Sequence, residues 1–332
     1  MQSDLLTAQD LDKAQRLIKT IADNVESVII GKRTAVELAL TALLSQGHLL
    51  IEDAPGVGKT MFARSLARSL GCSFKRIQFT ADLLPSDITG SSVYNQKTDD
   101  FEFRPGPIMA QIVLADEINR ATPKVQSALL ECMGEHQITI DGTTYTMPAP
   151  FHVIATQNPL EYEGTFPLPE NQLDRFLMRL TLGYPSAANE VAIIASQQID
   201  HPIDHIERVA DACDLLWLQE AIKTVFVDEL IKQYIVAVVA ATRNNPEVAI
   251  GISPRGSLGL FRTAQARAVI QGRDYVLPDD IKALAEPVLA HRLVARMGTH
   301  AETRSGQAMI ARVLGSVAVP GARPSFSRKK PG

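Results

Sequence analysis

Apolar residues recur at two different spacings along the chain, and its character changes where one spacing gives way to the other. Residues 10–28 set Leu11, Leu17, Ile18, Ile21 and Val25 at the interval of a helix with one buried face, with Asp10 placed to cap it. Val28-Ile-Ile-Gly-Lys32 breaks that interval, and a second helix is expected over 34–45. The run His48-Leu-Leu-Ile51 then reads as a strand, and Phe62, Leu66 and Leu70 as one face of a helix over 61–70 that Gly71 closes. Residues 74–80 predict a short strand. The unbroken Ile-Val-Leu-Ala after Gln111, and residues 151–156, predict strands buried on both faces, as parallel sheets require. Thr122-Pro123 supplies a cap and a first-turn proline to a helix that carries Val125, Leu129, Leu130 and Met133 as far as Gly134.

Two stretches alternate instead. Ser91-Ser-Val-Tyr94 and Phe101-Glu-Phe103 flank the turn Thr98-Asp99-Asp100 after a helix-like start at Leu83-Leu84-Pro85, and residues 135–147 alternate about Asp141-Gly142. Each reads as an inserted hairpin. Beyond Tyr184-Pro185 helical spacing takes over, at 188–198, 218–224, 228–242, 254–270 and 278–290. The pattern predicts an α/β unit with a parallel sheet over 1–183 and an all-α unit over 184–316. Residues 317–332, with Arg328, Lys329 and Lys330, are aperiodic and are expected to form a disordered basic tail.

Candidate chemistry gathers where the predicted strands end. Asp53-Ala54-Pro55-Gly56-Val57-Gly58-Lys59-Thr60 lies between a strand and the helix entered at Met61, the context of a phosphate-binding loop for a nucleoside triphosphate. Backbone N–H groups at the helix start cradle phosphate oxygens, Lys59 reaches the β- and γ-phosphates, and the Thr60 hydroxyl ligates Mg2+. Asp53 stands where the general pattern has glycine, so left-handed backbone is expected there, with the carboxylate turned away from the phosphates. Asp116-Glu117 closes the apolar strand after Gln111. Asp116 would order Mg2+ through water, and Glu117 would orient and polarise an attacking water. Asn158 is placed to hydrogen-bond the γ-phosphate or that water, or to serve as a turn residue before Pro159.

Bulk properties narrow the classes. With 332 residues, 45% hydrophobic and 21% charged, the chain is of globular composition and long enough for two domains. A net charge of −4 gives no global case for nucleic acid or a membrane surface. Cys72, Cys132 and Cys213 are odd in number and far apart, which argues against disulfides or a cysteine zinc site and predicts three small buried hydrophobes. No basic, apolar leader opens the sequence, and its longest apolar run, 235–241, is too short to span a bilayer. A cytoplasmic protein without membrane insertion is expected. His201-Pro-Ile-Asp-His205 has metal-like spacing without a third ligand and predicts surface histidines, while Trp217 predicts packing in the helical unit.

Together, the residues from Asp53 to Thr60, Leu114-Ala-Asp-Glu-Ile-Asn-Arg-Ala121, Ala155-Thr-Gln-Asn-Pro159 and Glu163-Gly-Thr-Phe-Pro-Leu-Pro-Glu-Asn-Gln-Leu-Asp-Arg-Phe176 resemble the MoxR family of AAA+ ATPases, over residues 21–297. The resemblance implies an αβα nucleotide-binding domain with a helical lid, a homo-oligomeric ring, usually a hexamer, and ATP with Mg2+ as cofactors. It makes Lys59 and Thr60 the Walker A pair, Asp116 and Glu117 the Walker B pair, and Asn158 sensor 1. It matches Arg175 to an arginine finger entering the neighbouring subunit's site, and Arg255 in Gly-Ile-Ser-Pro-Arg-Gly to sensor 2 of the lid. With Ser253 as a cap and Pro254 in the first turn, Arg255 is expected to face the γ-phosphate from the lid, whereas Arg175 after Asp174 also fits a surface ion pair.

The two hairpins become, by the same resemblance, inserts turned toward a pore or partner. Residues 135–147 carry no Lys or Arg, and the first hairpin sets Lys97 and Arg104 against Asp99, Asp100 and Glu102, so neither offers in quantity the cations and aromatics that nucleic acid needs. The family implies remodelling of protein clients, commonly with a partner bearing a von Willebrand factor A domain. The alternatives are a chelatase-like motor for metal insertion, a nucleic-acid motor disfavoured by the hairpins and net charge, and a non-hydrolytic switch disfavoured by Glu117 and Arg255.

Overall fold

The computed structural model describes residues 6–159, 164–198, 200–296 and 305–321. Glu163 of the resembling segment and the tail from 322 onward lie outside these residues. The chain opens with α1 (Ala8–Glu26) and α2 (Arg33–Leu44). Thr7, rather than Asp10, caps α1: its hydroxyl accepts the Asp10 N–H at 3.1 Å, which leaves Asp10 in the first turn, where its charge suits the helix dipole. β1 (Leu49–Glu52) leads through α3 (Lys59–Ser69) to β2 (Phe74–Gln78), and α4 (Pro85–Thr89) opens into the hairpin β3 (Gly90–Asn95) and β4 (Asp100–Pro105). β5 (Ile112–Asp116) runs into α5 (Pro123–Glu135), the second hairpin β6 (Gln137–Ile140) and β7 (Thr143–Thr146), and β8 (His152–Gln157). α6 (Glu170–Leu173) and β9 (Met178–Leu180) complete this part.

β2, β5, β8, β1 and β9 form one parallel sheet in that order. Alternation of side chains divides each central strand between two apolar layers. Leu49, Ile51, Ile112 and Leu114 join one cluster with α1, α2 and α3, while Leu50, Val113 and Ala115 join another with α5. The first cluster continues without a break into the C-terminal half.

That half comprises α7 (Ala187–Ser196), α8 (Pro202–His205), α9 (Ala212–Ala221), α10 (Glu229–Arg243), β10 (Val248–Ile250), α11 (Pro254–Ile270), α12 (Pro278–Leu289), β11 (Val294–Ala295) and α13 (Gly306–Ser316). It is not wholly helical: β10 and β11 pair as a short antiparallel ribbon, too brief and too far apart in sequence to leave a period-2 signal. α9 starts well before the expected 218, because Asp211 and Asp214 form a reciprocal capping box that sets its start. Val317 and Val319 still pack on the apolar cluster, so order extends past the expected end of the unit.

Cys72 and Cys132 are buried, and burial pushes their thiols up to about 11 and about 12. Cys213, expected inside, is exposed in the first turn of α9. Trp217 packs partly on the cluster with the Lys13 ammonium 4.2 Å over its ring, joining α9 to α1. His205 is exposed, and no group of three metal-ligating side chains occurs among the described residues. No helix among them is long and apolar enough to cross a membrane.

Candidate nucleotide site

β1, β8 and β5 are neighbours and all end on the same side of the sheet, so the loops that follow them converge there. After β1 the chain turns at Gly56 and Gly58, with φ of +83° and +94°, values that favour glycine, and Gly58 caps α3. α3 starts at the cleft, which Gly58 to Met61 line, and no side chain caps its first N–H groups, as an anion site requires. Lys59 donates to the Asp53 carbonyl at 2.7 Å. Val57 packs inward on the apolar cluster, and Pro55, Thr60 and Met61 line the cleft.

Asp53 does not have the left-handed backbone expected of it. Its carboxylate does point away from the phosphate cradle, for a positive reason: it accepts the N–H groups of Ala54 (2.9 Å), Leu182 (2.8 Å) and Gly183 (2.6 Å). The loop is thereby tied to the segment leaving β9 for the helical unit.

A cleft of about 290 Å3 holds Lys59 and Thr60 opposite Asp116, Glu117 and Asn158. Asp116 Oδ2 lies 3.4 Å from the Thr60 hydroxyl, and Oδ1 accepts the Thr156 hydroxyl at 2.6 Å. This hard oxygen pair fits Mg2+, which binds through one or two protein oxygens together with phosphates. Thr156 also accepts the Glu117 N–H at 2.9 Å. That bond helps hold Glu117 at φ +58°, a left-handed geometry a glutamate adopts only under constraint. Gln78 Nε2 and Arg120 Nη1 donate to Glu117 Oε2, at 2.8 and 3.2 Å, and Arg76 pairs with Asp116. Asn158 is 6% exposed. Arg76 and Gln78 carried no signal in the sequence, and Thr156 entered only as part of the segment Ala155-Thr-Gln-Asn-Pro159, since each is an ordinary polar residue within a strand.

Arg175, matched to the neighbour's site, and Arg255, expected to face the γ-phosphate of its own, both stand away from the phosphate loop. Asp174 to Leu177 precede β9 and His48 precedes β1, so this end of the sheet is the one opposite the loop, about 13 Å away along the four residues of β1. Arg175 lies there, donating to the Leu130 carbonyl at 2.6 Å against Gly134, where any Cβ would fall 2.6 Å from its guanidinium. Arg255 lies there too, with Nη1 3.9 Å from Asp174 Oδ2, in a cleft of about 240 Å3 shared with Arg175. It does not line the cis phosphate cleft. Ser253 stands at the N-cap of α11 but gives its hydroxyl to Asp174 at 3.2 Å instead of capping, which draws the start of the helix to the strand beginnings. Arg292 completes this cluster: 5% exposed, it pairs with Asp174 Oδ1 and donates to the Phe176 carbonyl at 2.8 Å. Burial pulls its guanidinium below its ordinary value while Asp174 opposes the shift.

The hairpins touch through Phe103 and Tyr145, stacked at 4.1 Å. The first also presents Tyr94 and Phe101, 48% and 68% exposed, so its aromatic content is more available than its sequence suggested.

Residues 48–178 match the ATPase family associated with various cellular activities (AAA), and residues 240–313 match the AAA lid domain. The YeaC protein of Bacillus subtilis is 52% identical over 304 residues, covering 92% of this chain and 95% of the relative. Chaperone MoxR1 of Mycobacterium tuberculosis is 45% identical over 305 residues, covering 89% and 80%. A crystal structure of a Cytophaga hutchinsonii protein assigned as an ATPase aligns with a TM-score of 0.86 at 38% identity, over 94% of this chain and 97% of that one.

Proposed function

Because the chain belongs to the MoxR family of AAA+ ATPases, we propose that it hydrolyses ATP to ADP and phosphate within a homo-oligomeric ring and uses the cycle to remodel, activate or assemble protein complexes. The observation that carries this reading is the convergence of Lys59, Thr60, Asp116, Glu117 and Asn158 on one cleft. The α3 N-terminus and Lys59 would hold the phosphates, and Thr60 with Asp116 would hold the metal. Mg2+ would supply charge neutralisation on the transferring phosphoryl group. Glu117 orients the attacking water, with Asn158 beside it to contact that water or the γ-phosphate.

Arg175 and Arg255 lie a strand's length from their own loop, which favours a role for both in the neighbour's site. α7 supports assembly as well. It is apolar in sequence, yet none of its residues is buried, and Val191 and Ile194 are 67% and 69% exposed. Six subunits and a partner with a von Willebrand factor A domain are the assembly and company the family suggests, and a cytoplasmic location is the accompanying expectation.

Glu117→Gln should bind Mg·ATP without turning it over, and proteins retained with it only in the presence of ATP, identified by mass spectrometry, test the reading. Capture of a protein client or a von Willebrand-type partner supports remodelling. Capture of nucleic acid on Tyr94 and Phe101 of the first hairpin would replace it with a nucleic-acid motor.

A further inference from the structure

The proposed metal site is already faced by a cation of the chain. Arg76, in the middle of the edge strand β2, is aligned with Leu114 of β5. Its side chain reaches up the sheet edge, so that Nε and Nη2 both donate to Asp116 Oδ2, at 2.9 and 2.7 Å. The same oxygen faces the Thr60 hydroxyl. Asp116 is 6% exposed, and a carboxylate placed that deeply needs a counter-charge. The Arg76 side chain is 48% exposed and supplies that charge from the solvent edge. The two partners are therefore unequal: the acid has few other donors within reach, while the guanidinium has water to return to. Nη2 also donates to Gln78 Oε1 at 2.5 Å, and Gln78 holds Glu117, so one run of hydrogen bonds passes between the two acids along alternate residues of β2.

We propose that Arg76 is a displaceable counter-charge at the divalent-cation site: a metal ion approaching Asp116 and Thr60 competes with the guanidinium for Oδ2, and Arg76 swings toward solvent as the ion enters. The inference rests on the cleft being a Mg·nucleotide site. Two cations on one carboxylate oxygen repel, and the compact oxygen pair suits a hard divalent ion better than a planar fork. Arg76 thus raises the metal concentration the site requires, keeps Asp116 compensated otherwise, and on leaving releases one of the bonds that steady Gln78 against Glu117.

Metal binding tests this apart from turnover. Mn2+ is titrated into the full chain, with free Mn2+ followed by electron paramagnetic resonance. Arg76→Gln is expected to half-saturate at about a tenfold lower concentration than wild type, the effect of losing one charge-assisted pair. Arg76→Lys keeps a charge but loses the paired donors; it is expected between the two and serves as the second variant should the first fail to fold. Adding Asp116→Asn to either background should abolish binding. Unchanged or weaker Mn2+ binding in both Arg76 variants overturns the proposal, as does a site that survives Asp116→Asn. Binding of a fluorescent ATP analogue to the wild type is measured alongside. Its failure overturns the nucleotide-site reading, whereas analogue binding with unaltered Mn2+ affinity overturns only the role of Arg76.

Discussion

Three backbone N–H groups converge on the Asp53 carboxylate, two of them from Leu182 and Gly183 where the chain leaves the sheet. A carboxylate so bound contributes through charge-assisted hydrogen bonds, and losing it strands buried donors. Asp53→Gly restores the general loop pattern, yet is expected to lower stability by about 2 kcal/mol in urea unfolding. An unchanged stability would mean that the three hydrogen bonds contribute nothing net and the strap is dispensable. Lys59 and Thr60 were legible in the sequence because a strand, a glycine turn and a helix announce them together, and Asp116 and Glu117 because they close an unbroken apolar strand. Arg76 and Gln78 were not, because Phe74-Lys-Arg-Ile-Gln78 has the composition of a half-solvated edge strand. Only the register that sets Gln78 beside Asp116 shows what their common face meets.

Elements bring together arginines that the sequence left far apart, Arg175 before an apolar run and Arg255 at a helix start. Gly134, in the last turn of α5, lies under Arg175, and the start of α11 is held by the Ser253 hydroxyl on Asp174. The motif around Arg255 was visible, but the direction in which α11 presents it depends on contacts from a segment far away in sequence. A trans arrangement has a quantitative signature. Arg175→Ala and Glu117→Gln proteins are each expected to be inactive as ATPases, while an equal mixture should regain about a quarter of the wild-type rate, the chance that an intact Glu117 faces an intact Arg175 across a head-to-tail interface. A cis arrangement would give none. α7, ten residues long without a buried side chain, has little in its own subunit to hold it. The ribbon of β10 and β11 escaped sequence reading for the opposite reason, since tertiary contact alone makes such short stretches into strands.

Across the whole molecule, one apolar cluster joins α1 and α2 to the sheet and to the helical half, so acid should unfold these parts together. Three buried histidines make that measurable. Burial, the largest cause in each case, lowers His48 to about 3, His152 to about 4, and His291 well below its ordinary value. Each stays neutral when folded and charges when unfolded, so its contribution is complete above about pH 6.5 and falls as the pH drops toward the folded value, by up to about 1.4 kcal/mol per pH unit. Urea unfolding between pH 6.5 and 4.5 should show that slope, and His48→Gln should reduce it by close to one proton. The buried Arg292 bears on how the assembled protein would move. Its guanidinium grips Asp174 and the Phe176 carbonyl on either side of Arg175, and it cannot slide without losing both acceptors. Arg292 of the helical half is thus clamped to the segment of the sheet unit that carries Arg175, so a tilt of the helices would carry that segment with it. If Arg175 enters the neighbour's site in a ring, as proposed, a tilt begun at one nucleotide would be felt next door, and each subunit would time its neighbour's chemistry more directly than its own.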